Sequence, residues 1–250
     1  MSTETLLDAR ALTKRFDGFI AVNAVDVSIS RGTIHSVIGP NGAGKTTFFR
    51  LLTGIQRPTS GQVTFAGQEI TGRRPHVIAR RGLAQSFQIT NIFPRLSVLE
   101  SVQIAILARR KRSRDFLTVF QRRVESEARN LLEQVGLEDF SEVTARELSH
   151  GDQRILEMTL ALATQPRLLL LDEPTAGMSP LETGKMVELV TDLARAKGLT
   201  VLLSEHDMDV VFGISDRVTV LHQGRVISEG LPEQVQDDER VVEVYLGSEA

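Results

Sequence analysis

The chain has 250 residues, enough for one large domain or two small ones, and it contains no cysteine. It therefore makes no disulfide and no thiolate metal site, and a formal net charge of −3 gives it no overall attraction to nucleic acid. No apolar run approaches the ~18 residues a membrane span needs. The opening MSTETLLDAR is too acidic and too weakly apolar for a signal peptide, so the expectation is a soluble intracellular protein.

Taken in order, residues 6 to 38 alternate apolar and polar in short bursts: Leu6, Ala9, Leu12, then Val22, Val25, Val27 and Ile29. Asp17-Gly18 and Arg31-Gly32 break them, which predicts antiparallel strands and turns. Phe16 is read either as a core or hairpin residue or as a face on which adenine stacks. Next, a β-prone stretch from Ile34 to Ile38 runs into Gly39, Pro40, Asn41, Gly42, Ala43, Gly44, Lys45, Thr46 and Thr47. GPNGAGKTT fits G-x-x-x-x-G-K-[ST], a phosphate-binding P-loop, and a helix is expected over 46 to 52 with Gly54 at its end. The glycines let the backbone curl close to a phosphate, and its N–H groups and the helix dipole then face the anion. Lys45 has the reach for β/γ-phosphates, and the Thr46 hydroxyl suits Mg²⁺. A site for a nucleoside triphosphate follows.

Residues 62 to 70 predict a hairpin around Ala66-Gly67, and 82 to 88 a short strand carrying Gln85 and Gln88. From about 95 to 164 the pattern turns helical. One helix opens at Leu96-Ser97. A second covers roughly 121 to 135 and ends at Gly136. Between and within them lie Arg109, Arg110, Lys111, Arg112, Arg114, Arg122 and Arg123. This basic run is read as a solvated helix end, or as a patch facing anionic lipid headgroups or a partner. In LSHGDQR, Ser149 suits the N-cap of a helix from Gly151 to Thr164, and Asp152 stands at the acidic position of a capping box.

Leu168 to Leu171 is a continuous apolar run, as in a strand buried on both faces of a parallel sheet. Asp172 and Glu173 follow it, at the strand end where open α/β sheets place ligands. Adjacent carboxylates there are costly unless they serve a metal, a base or a hydrogen bond. With a P-loop upstream they read as Asp172 for Mg²⁺ and Glu173 for polarising the attacking water. A helix at about 181 to 197 leads to a strand from Thr200 to Leu203, which places His206 on the same sheet edge, near a γ-phosphate. Residues 217 to 230 predict two antiparallel strands joined at Gln223-Gly224, and His35 and His222 are read as strand-borne and not catalytic.

Together these motifs resemble an ATP-binding cassette ATPase, the nucleotide-binding subunit of an ABC transporter, over nearly the whole chain. Phe16 takes the place of the A-loop aromatic, Gly39 to Thr47 is the Walker A, and Gln88, six residues before Pro94, matches the Q-loop glutamine better than Gln85. LSHGD matches the LSGGQ signature, LLLLDEP is the Walker B, and His206 is the switch histidine. The fold implied is a RecA-like P-loop NTPase. It has a mostly parallel sheet, an antiparallel β subdomain and an inserted helical subdomain. Residues 1–94 and 165–250 would form the core, with 95–164 the helical part.

The resemblance also implies the cofactors ATP and Mg²⁺, the latter near Thr46, Gln88 and Asp172. Catalysis would fall to Glu173, His206 and Lys45. Two cassettes, identical or different, would pair head to tail, so Ser149, His150, Gly151 and Asp152 would act on the partner's ATP. The other partners implied are an integral membrane permease and, indirectly, a solute-binding protein, at the cytoplasmic face of the cell membrane.

Three positions depart from the family pattern. His150 replaces the first signature glycine, Asp152 replaces the signature glutamine, and Ser179 stands where the D-loop usually has Asp. An acid at 152 works against a helix start that receives a phosphate, so its carboxylate is expected to turn toward its own backbone. LSHGDQR, AGMSP, the basic helical insert and the VYLG ending are similar to cassettes that power uptake of branched-chain amino acids, or of amides and urea. The competing reading is a non-transport ABC ATPase: either one acting on ribosomes or DNA, against which one Walker A and no heptad run count, or a nucleotide-gated assembly module with little hydrolysis, against which the intact Glu173 and His206 count.

Overall fold

A computed structural model describes residues 4–86, 93–110 and 118–246. Two sheets organise it. β1 (Thr5–Phe16), β2 (Phe19–Ser30), β4 (Ser60–Phe65) and β5 (Gln68–Glu69) form an antiparallel sheet of order β2-β1-β4-β5. The second sheet has six strands: β3 (Ile34–Ile38), β6 (Leu83–Ser86), β7 (Leu168–Asp172), β8 (Thr200–Ser204), β9 (Arg217–His222) and β10 (Arg225–Gly230). Its order is β10-β9-β3-β8-β7-β6, parallel throughout except for the β9–β10 hairpin.

The apolar run in β7 has the environment its sequence implies. Leu168 and Leu170 enter one core, packed with Phe48, Phe49 and the antiparallel sheet. Leu169 and Leu171 enter another, on the opposite face, built with the helices. In β8, Leu202 joins the first core, while Val201 and Leu203 join the second. A strand covered on both faces has no polar side to show, hence the unbroken hydrophobicity. A third, smaller cluster holds Ile38, Val211, Val220 and Val241 under the C-terminal segment.

Nine α-helices lie among the described residues: α1 (Lys45–Leu52), α2 (Pro75–Ala79), α3 (Val98–Arg109), α4 (Thr118–Gln134), α5 (His150–Leu162), α6 (Pro180–Lys197), α7 (Met208–Ile214), α8 (Pro232–Gln236) and α9 (Glu239–Leu246). Ser97 caps α3 in a full capping box with Glu100, and Ser179 does the same for α6 with Glu182. Gly198 ends α6 at φ 62°, in the left-handed region. Among the described residues, no helix is long and apolar enough to cross a membrane.

Observed bounds differ from the expected ones by a few residues at most. α5 starts at His150 rather than Gly151, because Ser149 is its cap and the next residue is already helical. α1 starts at Lys45, and α4 starts at 118.

Candidate functional site

The site lies at the C-terminal ends of β3, β7 and β8. β3 is buried along its whole length and delivers Gly39, after which the chain curls into α1. At Gly39 a side chain is excluded, since a Cβ would stand 2.1 Å from the Leu221 carbonyl oxygen. Gly44 caps α1 at φ 105° with no side-chain hydrogen bond, so the first amides of the helix are left to an external acceptor. Pro40, Asn41, Gly42 and Ala43 complete the loop, with Asn41 and Gly42 exposed. Thr46 and Thr47 stand half-buried in the first turn.

Lys45 is buried, and its ammonium donates to the carbonyl oxygens of Gly39 at 2.5 Å and Pro40 at 3.4 Å. Burial lowers its pKa, while the negative charges of Glu173 and Asp172 pull it back up. One cation therefore sits within the field of both acids. Asp172 ends β7 and is buried; its Oδ1 accepts from the Ser204 hydroxyl at 2.6 Å. Burial raises its pKa, Ser204 opposes that, and the Glu173 charge adds to it.

Glu173 has a left-handed backbone, φ 52°, a conformation that costs a non-glycine residue on the order of 1 kcal/mol. Its N–H donates to the Ser204 carbonyl oxygen at 3.0 Å and contacts the Ser204 hydroxyl at 3.2 Å. The turn aims its carboxylate at His206, whose Nε2 lies 2.7 Å from Oε1.

Ser204 and Glu205 were not singled out from the sequence. Ser204 pairs across the sheet with Asp172 and also holds the Glu173 turn. Glu205 is buried and accepts from the Thr175 amide at 2.9 Å, the Thr175 hydroxyl at 2.6 Å and the His206 amide at 3.1 Å. The available signal was a polar run, SEHD, directly after an apolar strand.

The remaining candidates are more scattered. Phe16 is the last residue of β1, 42% exposed, with the Lys14 ammonium 5.0 Å above its ring. It is not a core residue: it pairs with Phe19 across the β1–β2 turn, a hairpin position with an exposed ring. Gln88 lies outside the described residues, as do Lys111, Arg112 and Arg114. Gln85 is on β6, with its side-chain oxygen buried and without a hydrogen-bond partner among the described residues.

Ser149 caps α5 by accepting from the Asp152 amide at 3.1 Å. The Asp152 carboxylate does not turn to its own backbone as expected. It accepts from the Ser149 hydroxyl at 2.8 Å, one methylene too short to close a full capping box. The Gly151 amide donates to Glu182 at 3.3 Å, and His150 packs beside Gly177.

The strand–loop–helix cradle, the strand-end acids and the sheet order define a RecA-like P-loop NTPase. The family model described as ABC transporter matches residues 22–176, and one described as Branched-chain amino acid ATP-binding cassette transporter matches 225–250. The chain belongs to the ABC transporter family and is an ATP-hydrolysing cassette of it.

It is 41% identical to the high-affinity branched-chain amino acid transport ATP-binding protein BraF of Pseudomonas aeruginosa, over 97% of this chain and 98% of that protein. It is 40% identical to LivG of Escherichia coli K12, over 98% and 99%. A solved cassette of an ABC transporter in its ADP conformation, MJ1267, superposes with a TM-score of 0.86 at 30% identity, over 98% and 100%. The dimeric cassette MJ0796 gives a TM-score of 0.79 at 25% identity, over 91% and 99%.

Proposed function

We propose that this chain powers a membrane permease, importing branched-chain amino acids or related small amides, from the cytoplasmic face of the cell membrane. The cargo rests on similarity to BraF and LivG, both named for branched-chain amino acid transport, and on the matched C-terminal segment. Residues 1–94 and 165–250 serve as the catalytic core, and 95–164 as the helical part that carries movement to the permease. A solute-binding protein delivers the cargo outside.

The single observation behind the site roles is the 2.7 Å contact between Glu173 and His206, beside the buried Lys45. Glu173 orients and polarises the attacking water, and His206 holds that carboxylate and reaches the γ-phosphate. Lys45 neutralises β/γ-phosphate charge, the P-loop amides from Gly39 to Thr47 cradle the phosphates, and Phe16 stacks on adenine.

Mg²⁺ suits the donor set. Thr46 and Asp172 offer hard oxygens, and among the described residues Asp172 takes one hydroxyl hydrogen bond through Oδ1, leaving Oδ2 for a cation. No group of three or more metal-binding side chains occurs among the described residues, in keeping with an ion that relies on phosphates and water for its other ligands. Gln88 is the third contact proposed. Bound there, the ion would neutralise charge developing on the phosphoryl oxygens.

Two cassettes pair head to tail, and Ser149, His150, Gly151 and Asp152 of one chain face the ATP of the other. The γ-phosphate alone bridges both halves, so its loss lets them part, and the difference in affinity must reside in those contacts.

The test is Glu173→Gln. ATP binding persists, turnover falls about 100-fold or more, and a dimer accumulates on ATP, as measured by phosphate release and sedimentation. Turnover at the wild-type rate would refute the assigned base.

A further inference from the structure

A second cavity, of about 760 Å³, opens at the opposite ends of the same strands. Gln165 to Arg167 border it just before β7, and Lys197 to Thr200 at the start of β8, while α3 and α4 form its other wall. The strand length separates it from Asp172 and Ser204 by roughly 15 Å.

Six cations line it: Arg31, Arg109, Arg110, Arg123, Arg167 and Lys197. Glu127 is the single carboxylate among the described lining residues. The chain as a whole has 32 acids and 29 bases, so six to one is a local concentration. Part of it is structural. Glu127 clasps Arg109 at 2.7 Å and also Arg110, tying α3 to α4. Arg31 pairs with Glu4 at 3.1 Å, and Lys197 donates to Gln134.

That leaves the guanidinium groups of Arg123 and Arg167, on facing walls, with no hydrogen bond or ion pair to any described residue, although the Arg167 amide donates to the Gly82 carbonyl. Holding like charges together around one cavity is unfavourable without a counter-charge. A monocarboxylate would cancel only one of them. A phosphoryl group carries about −1.5 to −2 and presents several acceptor oxygens that match guanidinium forks. The volume falls within the range of small-molecule sites, and leucines such as Leu162 and Leu193 give it an apolar floor.

We propose that this cleft is a second anion site, taking a phosphoryl-bearing polyanion that bridges α4 to the strand starts. Nothing in it depends on the nucleotide-site roles above. The same chemistry is offered by a free phosphorylated small molecule and by a phospholipid headgroup, and two probes separate them.

The chain is first saturated with ADP, so that the P-loop is filled. Pyrophosphate is then titrated in by calorimetry, and in parallel the chain is co-sedimented with phosphatidylglycerol or phosphatidylcholine vesicles. The variants are Arg123→Ser, Arg167→Ser and the double substitution. Both residues are exposed and remote from the P-loop, so unchanged ADP affinity certifies folding.

A second saturable pyrophosphate site, weakened about tenfold or more in the double variant and by less in each single, establishes a soluble ligand. Binding to the anionic vesicles alone, lost in the double variant, establishes the headgroup. Absence of binding to both probes, or binding that the double substitution leaves unchanged, overturns the proposal.

Discussion

The Gly151 amide at the start of α5 donates to the Glu182 carboxylate of the same chain, 3.3 Å away. The other oxygen of Glu182 accepts from the Ser179 amide at 2.9 Å and the Ser179 hydroxyl at 2.8 Å. One acid therefore serves two helix N-termini, and its pKa is lowered, first by the Ser179 amide and hydroxyl. If Gly151 turns to a partner's γ-phosphate, Glu182 is the acceptor that phosphate must replace.

Glu182→Ala should thus have opposite effects on stability and pairing. Loss of the α6 cap lowers the melting temperature. Release of the Gly151 amide lowers the ATP concentration needed for dimerisation in the Glu173→Gln background. Thermal unfolding and sedimentation check the two arms, and an unchanged ATP midpoint would deny any competition at Gly151.

The P-loop glycines should divide into structural and ligand-facing positions. A Cβ at Gly39 meets the Leu221 carbonyl at 2.1 Å and Ala43 at 2.9 Å, both fixed by the sheet and the loop. Gly39→Ala should cost about 3 kcal/mol in urea unfolding. At Gly42 a Cβ meets nothing within 4 Å, although φ is 81°. Gly42→Ala should cost only about 1 kcal/mol of stability. It should still weaken ATP binding about tenfold, the equivalent of one phosphate hydrogen bond.

Much of this was legible in the sequence because local rules and tertiary demands agree at the relevant residues. Leu168 to Leu171 had to be doubly buried, and its end had to be a ligand edge. Ser97 and Ser149 announced two helix starts, although the Asp152 carboxylate found the neighbouring hydroxyl instead of the backbone. What stayed hidden depends on distant pairing. Ser204 matters because β8 lies beside β7 in one register, placing it opposite Asp172. The six-cation cleft was visible only in part, as a basic run, because Arg31, Arg167 and Lys197 reach it from other elements.

His35 should be a principal source of acid sensitivity. It is fully buried in β3, with Nε2 2.7 Å from the Thr219 hydroxyl. Burial, and secondarily the Arg217 charge, lower its pKa from 6.5 to about 3. The folded state thus binds this proton more weakly than the unfolded chain. Its stabilising effect is complete above 6.5 and is lost as pH falls toward 3. At pH 4.5 the penalty relative to pH 7 is on the order of 2–3 kcal/mol. His35→Gln carries no such titration, so its urea stability should fall less by that amount between the two pH values.

Asp172 runs in the opposite sense. Its carboxyl is raised above the ordinary range, chiefly by burial, so the folded state prefers it protonated. Its contribution is favourable in acid and is lost as pH rises through the folded pKa. Above that pKa the nucleotide-free chain therefore holds an ionised group at a cost. Asp172→Asn keeps the shape and an oxygen for the Ser204 hydroxyl while removing that charge. It should raise the melting temperature without nucleotide at pH 7.5, by about 2–4 °C for each kcal/mol recovered, and the gain should shrink as pH approaches 4. Mg²⁺-dependent ATPase activity should fall by more than about 100-fold, since an amide is a poor ligand for a hard cation. A variant that is destabilised at pH 7.5, or that keeps its activity, would show that the buried charge is neither costly nor used.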